Sequence, residues 1–464
     1  MIRVIGMGTG LPAPHIGEAA LVVGAERHLA AVAVPPGAER VVLGALEPAL
    51  ERIAAHCAGE VSRGGSPLGD IPRPPGGRAP SRLSPDTDTP AGCPQATGAG
   101  GIVVLASGDP GFFGIVRVLA ERFGSGALDI RPAAPSVAVA FARAGLPWDD
   151  ALVVSAHGRD LRTAVNVCRA HPKTAVLTGP GAGPAELGAA LARTNRTLVV
   201  AEALGTPAER LHRLTPAEAA ARDWSAGPVN VVLCLDEARS LSPAPRTIAG
   251  RPERPRQWAL PEDAFAHRDS MITKFEVRAL ALARLAPGPG DLVWDVGAGS
   301  GSVAVECARL GAAVIALEQS PAGADLVRRN ATAHGVDVEA VTGRAPDALA
   351  VLPDPDAVFV GGGGADLPAI TAVAARRARR AVVVTLAALD RVPAVREALA
   401  AGGLAVDGVQ LQSSRLAPLP GGVTRLAATN PVFVLWGVRD PDDFTPHSPG
   451  AGPTAPPPHQ GAPT

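Results

Sequence analysis

Tyrosine is absent from this chain of 464 residues, aromatic residues make up 3%, and Lys173 and Lys274 are its only lysines. Alanine, arginine, glycine and proline fill the gap, a bias of G+C-rich coding DNA that speaks to genome composition and not to activity. An excess of either charge is also missing: 43 basic side chains stand against 44 acidic ones, for a net charge of −1. A general nucleic-acid binder carries a basic excess, so no nucleic-acid partner is expected. Cysteine is scarce and scattered. Cys57, Cys93, Cys168, Cys234 and Cys307 form no CxxC pair and no Cys/His cluster at ligand spacing. That pattern encodes neither a local zinc site nor a disulfide framework, and isolated thiols of this kind behave as small buried hydrophobes. Long apolar runs are lacking too, none approaching the roughly 18 residues of a membrane span. The opening MIRVIGMGTG reads as a strand entering a glycine loop, not as a signal peptide. A reduced, cytoplasmic protein with no membrane partner and no metal is therefore expected.

What is present is an alternation of short apolar runs and helical stretches, the mark of α/β architecture with parallel sheets. At roughly 100–200 residues per domain, the length allows two to four domains. Candidate strands are 3–6, 20–24, 101–106, 151–155, 174–178, 197–201 and 229–235, then 292–296, 313–318, 336–342, 357–360, 381–385, 404–410 and 432–438. Between the two series, 239–258 carries five Arg, one acid and four Pro. It reads as an extended linker with few obligatory contacts to either side. Domains are therefore expected at 1–238 and 259–440. Residues 62–101 hold 9 Gly and 8 Pro in 40, and the tail 441–464 holds 8 Pro and 3 Gly in 24. Neither buries enough apolar surface to offset its ordering entropy, so both are expected to be disordered, the first as an insertion in a surface crossover.

The stretch LVWDVGAGSGSVAVECA (292–308) is the most informative. A buried strand ends in Asp295, a loop carries Gly297, Gly299 and Gly301, and a helix follows. Ser302 stands where a dinucleotide fingerprint needs its third glycine, which argues against an NAD-dependent oxidoreductase. The pattern GxGxG with an acid two residues ahead suits S-adenosylmethionine (SAM), whose methionine ammonium calls for a nearby carboxylate. Glu318 ends the next strand, where an acid takes both ribose hydroxyls. Gly343-Arg344-Ala345-Pro346 ends the third, where adenine is expected. After the fourth strand, 361–364 is a run of glycines. It offers no side chain to an amino nitrogen and suits a bulky, flat substrate with a carbon nucleophile.

These motifs, with MITKFEVRA (271–279), APDAL (345–349) and DAVFVGGGG (356–364), resemble the decarboxylating precorrin methyltransferases of cobalamin synthesis. The resemblance runs from about 265 to about 439. It implies a Rossmann-like class I SAM methyltransferase domain, with SAM contacts at Thr273, at Gly297, Ala298, Gly299, Ser300 and Gly301, at Glu318 and at Ala345. Arg344 occupies a position that is usually acidic in that family.

In the N-terminal half, VIGMGTG (4–10) is a strand and a glycine loop, and VVLASGDPGFFG (103–114) is a second strand ending in a tight turn at Asp109. Pro135-Ser136 then opens a helix. Taken singly, Ser136 reads as a helix N-cap and Asp109 as a turn stabiliser. In this order, with LTGP (177–180), ALGTPAE (203–209) and GPVNV (227–231), they resemble the tetrapyrrole methylase family, which has two α/β lobes. The implied SAM surface comprises Gly6, Gly8 and Gly10, Ser107, Gly108 and Asp109, and the region of Ser136. Only 7–19 separate the first two strands, so the family's first helix is shortened or replaced.

Both halves in this order resemble the fused C5,C15-methyltransferases (decarboxylating) acting on precorrin-6B. The resemblance implies two methyl transfers from SAM, to carbons 5 and 15 of a tetrapyrrole, with loss of carbon dioxide from the ring-C acetate. An alternative leaves only the C-terminal half catalytic, the N-terminal half binding or delivering the macrocycle. A substrate rich in carboxylates calls for Arg or its like. His267, Arg268, Lys274 and Arg278 are the candidates, the competing reading being that they are solvated or paired with Glu276 and Asp269. A homo-oligomer is expected.

Overall fold

A computed structural model describes residues 1–8, 13–63, 101–225, 229–241, 249–250, 257–268 and 272–440. The expected insertion, the tail and most of the linker lie outside them. The described residues are α/β. Strands β1 (Ile2–Met7), β2 (Leu21–Gly24), β3 (Glu39–Val42), β4 (Ile102–Ser107) and β5 (Leu128–Arg131) form a parallel sheet in the order β3-β2-β4-β1-β5. Its central strands are apolar on both faces because both are covered. Ile2, Val4, Leu21, Val23, Ile102 and Val104 pack on one side with Ile53 and Leu119, while Ile5, Val22, Val103 and Leu105 pack on the other with Leu29. No helix occurs at 13–20, so the crossover after β1 has no first helix among its described residues.

Five further strands, β6 (Leu152–Ser155), β7 (Lys173–Leu177), β8 (Thr197–Glu202), β9 (Arg210–Leu214) and β10 (Val229–Leu235), make a second sheet, with β6–β7 parallel and β8–β9 antiparallel.

The third sheet comprises β11 (Leu292–Val296), β12 (Ala313–Glu318), β13 (Glu339–Thr342), β14 (Ala357–Val360), β15 (Ala381–Leu386) and β16 (Ala405–Leu411). A hairpin of β17 (Ser414–Pro418) and β18 (Thr424–Ala428) precedes its last strand, β19 (Val432–Val438). The order is β13-β12-β11-β14-β15-β19-β16, with β19 antiparallel to both neighbours. The period of two sorts side chains onto two faces: Trp294, Ile315, Val358 and Val382 to one core, and Val293, Val314, Phe359 and Val383 to the other. Strand order reverses between β11 and β14, and a crevice opens at the carboxyl ends of strands at such a switch point.

By packing, the chain divides into two compact units: Met1–Trp148 with Leu198–Leu214 and Arg222–Leu233, and Asp149–Thr197 with Thr215–Ala221 and Cys234–Thr464. The second unit includes a helix from the N-terminal half of the sequence, Leu161–Ala170, N-capped by Asp160. Arg162 donates to the Asp356 carboxylate (2.5 Å), and Asn166, 1% exposed, donates to the Gly290 carbonyl (3.0 Å). Arg196 and Arg239 both reach Asp337, at 2.8 and 2.6 Å. Asp356, Gly290 and Asp337 stand just before β14, β11 and β13, at the amino ends of the strands. The expectation of an extended linker with few contacts is therefore corrected at its first residue: Arg239 is fastened to Asp236 and Asp337.

Candidate active site

At the opposite, carboxyl end of the third sheet, an open cleft of about 490 Å³ lies over β11, β12 and β14. Gly297, Gly299 and Gly301 have φ of +74°, +57° and +72°, a backbone region that other L-residues enter at a cost. The chain thereby turns directly from β11 into the helix Ser302–Arg309, with Gly301 as its N-cap. A Cβ on Gly301 would stand 3.0 Å from Val327. Gly297 and Ala298 donate to the Leu317 carbonyl (2.9 and 3.2 Å), and Glu318 accepts from Gly299 and Ser320 (3.0 Å each). Glu318 therefore clamps the glycine loop while lining the cleft with Gly297, Ala345 and the glycines 362–364. It is not paired with Arg344, which instead meets Asp366 at 2.6 Å.

Asp295 lies directly behind the loop and is 1% exposed. One carboxylate oxygen accepts the Ala304 N–H (2.9 Å), and the other is buried without a partner. Burial pushes this carboxyl up to about 7; the Ala304 N–H opposes the shift and the nearby Glu318 charge adds to it. A buried, unpartnered carboxylate oxygen is costly unless a cationic or donor group meets it. Ser300 is held from below: Asn330 donates to its carbonyl (2.7 Å) and exchanges two hydrogen bonds with Ala266. The sequence reading passed over Asn330. Its signal was a polar residue on the buried face of the helix Pro321–Ala333, three and four positions after Val327 and Leu326.

The proposed substrate cations fare differently. Arg278 is 0% exposed, lies 4.9 Å over the Phe265 ring, and donates to the carbonyls of Thr273 and Leu260. With Glu306 at 3.8 Å it is a structural guanidinium and no substrate carboxylate reaches it, which corrects that assignment. Thr273 is thereby fixed by its carbonyl but does not line the cleft. His267 and Arg268 are exposed, and Lys274 is the half-buried N-cap of the helix Phe275–Leu285. The alternative pairing with Glu276 also fails, because Glu276 and Glu262 both bind Arg415 at 2.7 Å. That guanidinium holds the Glu262 carboxyl down to about 2 against the upward pull of burial. Asp269 lies outside the described residues.

In the first unit, the ends of β1 and β4 meet the turn before the helix Ser136–Ala144. A Cβ on Gly6 would fall 2.2 Å from the Gly108 carbonyl oxygen and 2.6 Å from the Ala133 nitrogen. Gly6 is thus required by backbone packing. Gly108 has φ +59°, and a Cβ there would lie 3.7 Å from the Ser136 nitrogen. Gly6, Gly108 and Ser136 are therefore neighbours. Gly8 is described; Gly10 is not. Asp109 accepts the Gly111 N–H (2.8 Å) and so closes its own turn. The expected N-cap role of Ser136 is corrected, since Pro135 holds that position. Ser107 bonds to Arg27 (2.9 Å) and His28 (3.1 Å). Burial, with the Arg27 charge, lowers the His28 pKa.

Comparison with known proteins matches residues 263–439 to the precorrin methyltransferase domain and residues 18–220 to the tetrapyrrole (corrin/porphyrin) methylases. A precorrin-6Y C(5,15)-methyltransferase [decarboxylating] from Sinorhizobium is 40% identical over 57% of this chain and 63% of its own length. The alignment thus spans less than two thirds of that relative. A probable cobalt-precorrin-6B C(15)-methyltransferase (decarboxylating) from Pyrobaculum calidifontis is 37% identical over 38% of this chain and 93% of its own. A cobalt-precorrin-7 C(5)-methyltransferase from Salmonella typhimurium is 36% identical over 30% of this chain and 67% of its own. With both halves matched in this order, the chain belongs to the precorrin methyltransferase family, a tetrapyrrole methylase half followed by a precorrin methyltransferase half.

Proposed function

We propose that the chain transfers methyl groups from SAM to carbons 5 and 15 of precorrin-6B and releases the ring-C acetate carboxyl as carbon dioxide. The observation that carries this reading is the second glycine loop: a left-handed turn clamped by Glu318 above a buried, unpartnered Asp295 oxygen. That donor set fits SAM. Asp295 would meet the methionine ammonium, Glu318 the ribose hydroxyls and the Ala345 backbone the adenine, with Thr273 and Ala298 at the margin. In the first unit, Gly6, Gly8, Gly10, the turn Ser107-Gly108-Asp109 and Ser136 would form the corresponding surface.

SAM, when bound, supplies a methyl group already activated on a sulfonium. The chain's own task is alignment and exclusion of water. The glycine platform 361–364 supports this. At Gly362 and Gly364 a Cβ would meet nothing within 4 Å, leaving room for a flat macrocycle. The names of the relatives, which include C(5), C(15) and C(5,15) methyltransferases, support a division of labour with carbon 15 and decarboxylation in the C-terminal half.

Domains at 1–238 and 259–440 joined by 239–258, a cytoplasmic setting without nucleic acid, and a homo-oligomer belong to the same reading. For the last, the paired Leu416 and Leu426 of the hairpin are 79% and 67% exposed.

The test is mass analysis of the product made by the purified full chain from SAM and precorrin-6B. A gain of two methyl groups with loss of one carbon dioxide is expected. One methyl with loss of carbon dioxide would leave the N-terminal half a binding module, and no change would overturn the reading.

A further inference from the structure

Resting on that reading, we infer that Arg344 is the residue that anchors a carboxylate of the tetrapyrrole, and that Asp366 occupies its guanidinium until the substrate arrives. Arg344 is the only cation among the described residues lining the cleft. The cations suggested by the sequence lie elsewhere: Arg278 is buried, and Lys274, His267 and Arg268 do not line it. A substrate carrying many carboxylates needs a partner at this mouth, and the planar fork of arginine is the best match.

The topology gives the pair its position. Arg344 follows β13 and Asp366 follows β14, and β12 and β11 lie between those two strands. The bridge at 2.6 Å therefore joins the segments that follow β13 and β14, in the cleft that Glu318 and Gly297 also line. Asp366 comes two residues after Gly364, so it draws the guanidinium toward the open glycine platform on which a flat macrocycle would lie. The Arg344 side chain is 73% exposed and that of Asp366 40%. An ion pair so wet is worth little by itself, and replacing Asp366 by a substrate carboxylate is a near-even exchange. Such a placeholder keeps the guanidinium oriented without sequestering it.

The two partners then affect the substrate in opposite directions, which separates an anchor from a structural strap. Using the full chain with SAM and precorrin-6B, R344Q is expected to raise KM about tenfold or more with kcat largely kept, and R344K to recover part of that loss. D366N removes the competing carboxylate and is expected to lower KM or leave it in place. SAM affinity, read by calorimetry, stays the same in all three. An unchanged KM in R344Q overturns the inference. So does a parallel rise of KM in R344Q and D366N, or a shared loss of SAM affinity, either of which marks a strap that only shapes the cleft. Failure of the wild-type chain to turn over precorrin-6B would instead overturn the functional reading on which the inference rests.

Discussion

The two glycine loops of this chain look alike in sequence and differ in what their polar groups do. At β11 the glycines adopt left-handed backbone, and Asp295 keeps one buried oxygen with no partner. At β1, Gly6 is there because the Gly108 carbonyl and the Ala133 nitrogen leave no room for a Cβ. The nearby Asp109 and Ser107 are already engaged, with Gly111 and with Arg27 and His28. The site at β11 keeps a buried acceptor unmet, whereas the polar side chains of the turn after β4, Asp109 and Ser107, each have a partner. What the nearby carboxylates bind, not glycine spacing, distinguishes them.

The comparison is most sharply tested at Asp295. Burial holds its carboxyl at about 7, above the 3.8 of a carboxyl free in water. Its contribution to stability is therefore whole below that lower value, and is lost as pH rises through about 7. Asp295→Asn should make the ligand-free chain more stable at about pH 8 by up to about 4 kcal/mol, with little effect at acid pH. Denaturant titrations at several pH values measure this. SAM binding to the C-terminal site should fall in the same variant. In the wild type, the thermal shift caused by SAM should grow from about pH 5 to about pH 8, because the ammonium favours the ionised form. A shift that is flat with pH would remove Asp295 from the site.

Next in size is the amino end of the third sheet. Asp356→Ala removes the acceptor of both the Arg162 guanidinium and the Leu292 N–H, and should cost about 2–4 kcal/mol. For the same reason, residues 259–440 expressed alone should melt below a chain that retains Asp149–Thr197. Equal melting would show that the docked helix adds nothing.

Gly6→Ala should destabilise the first unit by about 1–3 kcal/mol and abolish carbon-5 methylation, since backbone must move to admit the methyl. Gly299→Ala meets no atom within 4 Å and should cost about 1 kcal/mol through its φ of +57° alone. Thermal melts of both variants make the contrast directly. Last, Glu318→Gln should weaken SAM binding for carbon-15 methylation by about 1–3 kcal/mol, sparing carbon-5 methylation. If it lowers the melting temperature equally with and without SAM, Glu318 serves only as a loop clamp.

Much of this was legible beforehand. The strands Ala313–Glu318, Ala357–Val360 and Val432–Val438 have the bounds that their apolar runs imply, because strands covered on both faces leave continuous hydrophobic signatures. Strands β3, β5, β9, β17 and β18 were not legible: the pattern of β3 alternates half-buried with exposed, and Thr424–Ala428 is largely exposed. Asp295, Glu318 and the loop between them follow from local spacing. The roles of Arg278 and Arg344 do not. Arg278 shares its helix face with the buried Val277, Ala281, Leu282 and Leu285, and only the burial of its guanidinium against backbone carbonyls shows that it is structural. Arg344 is defined by an acid 22 positions away.

The place of β19 in the third sheet bears on how the chain is made. The last strand among the described residues is not at the edge but between β15 and β16, pairing with both over their lengths. Until Val432–Val438 has left the ribosome, β16 has no neighbour in the sheet and β15 presents an open side. Late, non-local strand insertion of this kind is slow and leaves a template for wrong pairing. A premature stop just before Val432 therefore releases a chain whose first unit is already complete, while in the second β15 and β16 lack the strand that joins them.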